Sequence, residues 1–239
     1  MAESLLFTTA RVSTFDGPRL LTGATGFFFA RAQRLFLVTS RHVLQDIPSE
    51  HRPNRIEVEF HIDPMDLRRT ATQSIWLFKN GISQWRQGSD SGGDIDVGVV
   101  EMDRSALPTS AHFRCFTQAH LQSELSEVEV GTGLLVVGFP LGFHDTTHRL
   151  PVVRHAVIAS AFGIRFQGQG YFLTDARTHR GTSGAPVVMR DPASRDALPW
   201  KLLGVHSSRI DIGTRDRQLD ESLGLNAAWY AAIILTLTA

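Results

Sequence analysis

Apolar residues in this chain come in short runs broken by turn residues. Runs at 26–30, 35–39, 55–62, 96–101, 133–138, 152–159, 171–174, 185–189 and 202–206 have the length and spacing of strands rather than helices. The pattern predicts an all-β protein, a barrel or a sandwich. Alternation is clearest where Ile56, Val58, Phe60 and Ile62 interleave with Glu57, Glu59 and His61, which predicts a strand with one wet face near the rim of a sheet. Two stretches read otherwise. Asn226 is placed to cap a terminal helix on which Trp229, Ile233 and Ile234, or Tyr230 and Leu235, recur at helical spacing. Residues 110–126 carry few β-branched side chains and read as a connector with a helical turn.

Composition narrows the function more than the fold. A chain of 239 residues, 42% of them hydrophobic, can bury a large core as one domain or as two closely packed halves. Its 24 basic and 24 acidic residues balance, which removes any electrostatic reason to expect nucleic acid or an anionic membrane as a partner. Protein and small-molecule partners remain. The first residues lack the basic start and apolar core of a secretory signal, and no apolar stretch is long enough to span a bilayer, so a cytoplasmic location is expected. The single cysteine, Cys115, has no partner for an internal disulfide and is expected to be a small core residue rather than a reactive thiol.

Three fragments carry chemistry. Gly181-Thr182-Ser183-Gly184-Ala185-Pro186 places a serine in a glycine-flanked turn, Val38-Thr39-Ser40-Arg41-His42 ends an apolar run on a histidine, and Asp96-Val97-Gly98-Val99-Val100 opens another on an aspartate. A serine hydroxyl is a poor nucleophile until an imidazole takes its proton, and the imidazole needs a carboxylate to fix its tautomer and stabilise its cation. The chain supplies all three at the ends of expected strands. Asp94 competes with Asp96 for the carboxylate role, because the two lie on one face of the same strand. Asp96 is preferred.

With these fragments in the order histidine, aspartate, serine, the chain resembles the chymotrypsin-fold serine proteases. Gly138-Phe139-Pro140-Leu141-Gly142 and Thr174-Asp175-Ala176 are similar to segments of bacterial chymotrypsin-like proteases of the high-temperature-requirement type. The resemblance implies two antiparallel six-stranded β-barrels, over residues 1–118 and 119–239, with the active site between them and a C-terminal α-helix outside. It implies His42, Asp96 and Ser183 as catalytic residues, the amides of Gly181 and Ser183 as the oxyanion hole, and Ser207 as a residue that orients the aspartate. It implies a protein or peptide substrate and no cofactor. Thr182 departs from the family, whose zymogens pair an aspartate at this position with a new N-terminal ammonium. That switch is expected to be absent, leaving a constitutive site or one ordered by substrate or by a regulatory protein partner. A binding module that keeps the fold with a silent cleft, and an esterase of small substrates, are the alternatives.

The resemblance also places the primary specificity pocket around Thr178, His206, Ser207, Ser208 and Arg209. Thr178 and His206 match the threonine and histidine of glutamyl endopeptidases and picornavirus-type 3C proteases, and both side chains can hydrogen-bond a substrate carboxylate or amide. Cleavage after glutamate or glutamine is therefore expected, with Arg177 and Arg209 as cations able to favour an acidic side chain. His144, Asp145, His148 and His155 lie close in sequence, but in a loop that does not align them, so no metal site is expected. The glycine-rich segment 88–93 carries Asp90 and has no following lysine, so it reads as a flexible loop rather than a phosphate cradle.

Overall fold

The computed structural model describes residues 2–210 and 223–239. Its first antiparallel sheet is built from β1 (Thr9–Asp16), β2 (Arg19–Arg31), β3 (Arg34–Thr39), β4 (Arg55–His61), β5 (Thr70–Trp76), β6 (Trp85–Arg86) and β7 (Gly98–Met102), in the order β5-β4-β1-β2-β3-β7-β6. The second comprises β8 (Gly133–Gly138), β9 (Val152–Val157), β10 (Tyr171–Thr174), β11 (Pro186–Arg190), β12 (Trp200–Arg209) and β13 (Asn226–Tyr230), in the order β9-β8-β11-β12-β13-β10. Each sheet curls into a half-barrel, giving the chymotrypsin-like architecture. The first sheet has seven strands rather than the expected six, because the two residues of β6 pair onto Val99 and Val100 of β7.

The uninterrupted apolar runs mark strands buried on both faces. Phe28, Leu35 and Leu37 point into the core of the first sheet with Ile56, Val58 and Phe60. Their neighbours Phe27, Phe29, Phe36 and Val38 point the other way, into a cluster shared with Val137, Val188, Leu202, Val205 and Trp229 of the second sheet. Period-two alternation thus builds a barrel core and an inter-barrel core from the same strands. By contrast β4 has a wet face, where Glu59 pairs with Arg11 at 3.0 Å, and it lies one strand from the edge. The connector is stitched to both sheets. The amide of Phe116 donates to the Phe28 carbonyl at 2.9 Å and that of Gln122 to the Leu202 carbonyl at 3.4 Å, with short 3-10 turns at Gln118–His120 and Leu125–Glu127.

The expectation of a helix capped by Asn226 is corrected. Residues 226–230 form β13, paired with β10 and β12, and only α2 (Ile233–Leu237) is helical. Asn226, Ala227, Ala228 and Trp229 are all buried, which is the signature of a central strand and not of one apolar helix face. Among the described residues no helix is long and apolar enough to cross a membrane.

Candidate active site

His42 lies in a one-turn helix, α1 (Arg41–Leu44), that follows β3 directly. Its ring Nδ1 is 2.7 Å from Asp96 Oδ2, and its backbone N–H donates to Asp96 Oδ1 at 2.9 Å. The turn is held close to β7 by the absence of a side chain at Gly98, where a Cβ would come within 2.7 Å of Leu44 Cδ1. Ser207 Oγ donates to Asp96 Oδ2 at 2.5 Å, so the carboxylate has three donors. Asp94 is exposed. Burial works against a charged His42, but the hydrogen bond and charge of Asp96 outweigh it and raise the ring above the ordinary histidine pKa. Burial likewise opposes ionisation of Asp96, and the hydrogen bond and charge of His42, with Ser207, overcome it and lower the carboxyl.

Ser183 stands in the turn before β11. The Thr182 amide donates to the His179 carbonyl at 3.1 Å, closing a turn in which Gly181 has φ +89°, a value glycine adopts without strain. A Cβ on Gly184 would lie 2.2 Å from Thr25 O and from Thr39 Oγ1. The loop's polar backbone can be followed group by group. Arg180 O accepts from the Leu141 amide at 2.5 Å, Thr182 O from Ala185 at 2.9 Å and Ser183 O from Thr25 at 3.0 Å. Gly181 O accepts from Thr25 Oγ1 at 2.7 Å. The Gly184 amide donates to His206 O at 2.8 Å. Within this loop, the amides of Gly181 and Ser183 have no acceptor among the described residues. His42, Gly181 and Ser183 line one cleft of about 380 Å³ with Asp46, His51 and Arg180. The Ser183 hydroxyl donates to the Ser207 carbonyl at 3.1 Å, and no hydrogen bond joins it to the His42 ring among the described residues.

Thr178 and His206 are both buried, and Asn226, which the sequence reading assigned to a helix cap, is buried beside them. Thr178 Oγ1 donates to Asn226 Oδ1 at 2.6 Å, and Asn226 Nδ2 donates to Ala176 O at 2.5 Å. His206 stands opposite Ala228, two residues along β13 from Asn226, and so shares its face of the sheet. Burial, then the charge of His42, push the His206 pKa down to about 4, with Asp96 opposing. The ring is therefore neutral at physiological pH. Its Nδ1 is buried without a partner, which favours the tautomer protonated on Nε2. Ser208, Arg209 and Arg177 are exposed.

His206 sets a stability expectation. With a folded pKa of about 4 against an ordinary 6.5, the unfolded chain takes the proton first as pH falls, so stability drops between those values, by about 2 to 3 kcal/mol in all. Urea unfolding at pH 7 and pH 4.5 should show His206→Gln losing that much less than the wild type. Equal losses in both would refute the assignment.

The remaining candidates are placed without a role in this cleft. His148 pairs with Asp145 at 2.7 Å, but no group of three or more His, Cys, Asp or Glu side chains suited to a metal comes together among the described residues. Segment 88–93 forms part of a short hairpin, Ser89–Asp90 with Gly93–Asp94, and Asp90 pairs with Arg165 at 2.9 Å. Burial pushes the Cys115 thiol up to about 11, which keeps it protonated.

A curled two-sheet β fold with a serine, histidine and aspartate around an inter-sheet cleft defines the class of trypsin-like hydrolases. Residues 24–193 match the trypsin-like peptidase domain, and the chain belongs to that family. No functionally curated protein matches it. Among solved structures, the serine endoprotease from Yersinia pestis superposes with a TM-score of 0.56 at 15% identity, over 98% of this chain and 62% of that one. The chain thus corresponds to less than two thirds of that protein. The inactive form of a serine-to-alanine mutant of Rv3671c from Mycobacterium tuberculosis H37Rv superposes with a TM-score of 0.51 at 14% identity, over 97% of this chain and 85% of that one.

Proposed function

We propose that this chain is a serine endopeptidase that cleaves a protein substrate through an acyl-enzyme on Ser183. The observation that supports it most is the joint placement of His42 and Ser183 on one cleft, with Asp96 bound to the His42 ring and two acceptor-free amides beside the serine. In this reading Ser183 Oγ attacks the scissile carbonyl carbon while His42 Nε2 takes its proton. The amides of Gly181 and Ser183 receive the oxyanion. Collapse breaks the C–N bond, His42 returns the proton to the leaving amine, and water then releases the acyl group by the same steps. Labelling by a fluorophosphonate and peptide hydrolysis, both lost in Ser183→Ala, would support this; an unreactive wild type would overturn it.

Taken as the lining of the primary pocket, Thr178 and His206 support glutamine as the residue at the cleaved position. The Thr178 proton is committed to Asn226, so the hydroxyl meets a ligand with a lone pair, and neutral His206 offers one N–H. A carboxamide satisfies both, its oxygen accepting and its NH₂ donating, whereas a carboxylate would face the threonine lone pair. In a peptide panel varied at that residue, glutamine is expected to exceed glutamate by about tenfold or more. A profile led by arginine, phenylalanine or alanine would remove the assignment.

A second reading, of gated activity, rests on the bond from Ser183 Oγ to Ser207 O. The hydroxyl must leave that carbonyl and turn toward His42 before it can react, and substrate or a regulatory protein partner would supply the turn. Labelling only when a substrate peptide is present supports gating. Rapid labelling of the isolated chain refutes it.

A further inference from the structure

The residue before the nucleophile contributes no side-chain anchor to the catalytic loop: Thr182 is buried and its Oγ1 has no partner. Something else must hold the peptide planes around Ser183. The hydrogen bonds converge on Thr25, a fully buried residue of β2 in the opposite barrel. Its amide donates to Ser183 O at 3.0 Å. Its hydroxyl donates to Gly181 O at 2.7 Å and accepts from the Phe139 amide at 3.1 Å. Its own carbonyl is fixed by Thr39 Oγ1 at 2.7 Å, on the strand that leads to His42.

We infer that Thr25 is the positioning residue that preforms the oxyanion site, an inference that rests on the protease reading above. A trans peptide holds one residue's C=O opposite the N–H of the next, so anchoring a carbonyl aims the amide of the residue that follows it. Thr25 anchors the carbonyls of Gly181 and Ser183, whose peptides carry the Thr182 and Gly184 amides, and so fixes the planes on either side of the Thr182–Ser183 peptide that carries the Ser183 N–H. Through Phe139 it also anchors the turn whose Leu141 amide holds Arg180 O, and that bond aims the Gly181 N–H away from Leu141. Leu141 occupies φ +53° and is mostly exposed. A non-glycine residue in this left-handed region is strained, so the turn needs an anchor to persist, and the Thr25 hydroxyl supplies one. Because Thr25 belongs to the first barrel and the loop to the second, the oxyanion site is complete only when the two barrels are docked.

The test compares Thr25→Val, which keeps the shape and removes the hydroxyl, with Thr25→Ser, which keeps the hydroxyl. Thr25→Val is expected to lower kcat about 10- to 100-fold with KM within about threefold, and to weaken a peptide aldehyde, whose adduct places an oxygen in the oxyanion site, by the same factor. Thr25→Ser should restore kcat to within about threefold of wild type. If Thr25→Val does not fold, Thr25→Ala gives the same comparison without a methyl group facing Gly181 O. Wild-type kcat and aldehyde affinity in a folded Thr25→Val, or a rise in KM alone, would overturn the inference. An inactive wild type would instead refute the protease reading.

Discussion

The double variant Ser183→Ala/His42→Ala is expected to be no slower than either single variant, each about a million-fold below wild type in kcat. The reason is mechanical interdependence. Without His42 the Ser183 hydroxyl keeps its proton and attacks poorly, and without Ser183 the imidazole has no proton to take. Each change removes the same step, so the losses do not add. What survives is binding and the two amides of Gly181 and Ser183, which act on a water-driven reaction and leave a residue of about 10³- to 10⁴-fold over the uncatalysed rate. Active-site titration with single-turnover kinetics on a glutaminyl peptide measures all three variants. Losses that multiply would mean that His42 and Ser183 act independently, and a Ser183→Ala chain within a hundredfold of wild type would place the nucleophile elsewhere.

His42, Asp96 and Ser183 stand out in the sequence because each sits beside a strand whose apolar run is unmistakable. The family model and the sheet order bear out the class and the fold drawn from them. Other features were hidden by physics that a one-dimensional pattern does not carry. β5 lies at a sheet edge and puts Gln73 between Ala71 and Ile75 on its inner face and Trp76 on its outer one, which blurs its alternation in the sequence. β1 alternates, but buried Thr14 occupies an inward position, and threonine reads as polar. β13 places Trp229 four residues before Ile233, a helical interval, yet the chain is a central strand packed on both sides. That misreading concealed Asn226, whose amide oxygen accepts the hydrogen bond of the Thr178 hydroxyl. Thr25 carried no signal at all. Its importance comes from the 156 residues that separate it from Gly181 in sequence and the single hydrogen bond that joins them in space.

Replacing Asp96 with asparagine is expected to lower kcat about 10⁴-fold at neutral pH without unfolding the chain. The hydrogen bonds dictate which way the carboxamide sits. The position of Oδ1 faces the backbone N–H of His42, a donor that cannot change, so the amide oxygen must occupy it. The NH₂ then falls where Oδ2 meets His42 Nδ1 and Ser207 Oγ. Ser207 can adapt by rotating its hydroxyl to accept, but His42 Nδ1 must become an acceptor, which moves the ring proton to Nε2. The imidazole then presents a donor to Ser183 where it needs a lone pair. The pH profile separates this from simple disruption. In the wild type the hydrogen bond and charge of Asp96 outweigh burial and raise His42, so the protonated, inactive ring persists to higher pH and the acid limb of kcat/KM lies above the ordinary histidine value. In Asp96→Asn the hydrogen bond and charge of Asp96 are gone while burial remains, with only the charge of Asp46 left to raise the ring, and the limb should move to lower pH as the plateau falls. Asp94→Asn, at an exposed carboxylate, should change neither. A limb that stays in place with kcat within tenfold of wild type would show that Asp96 neither orients nor charges the base.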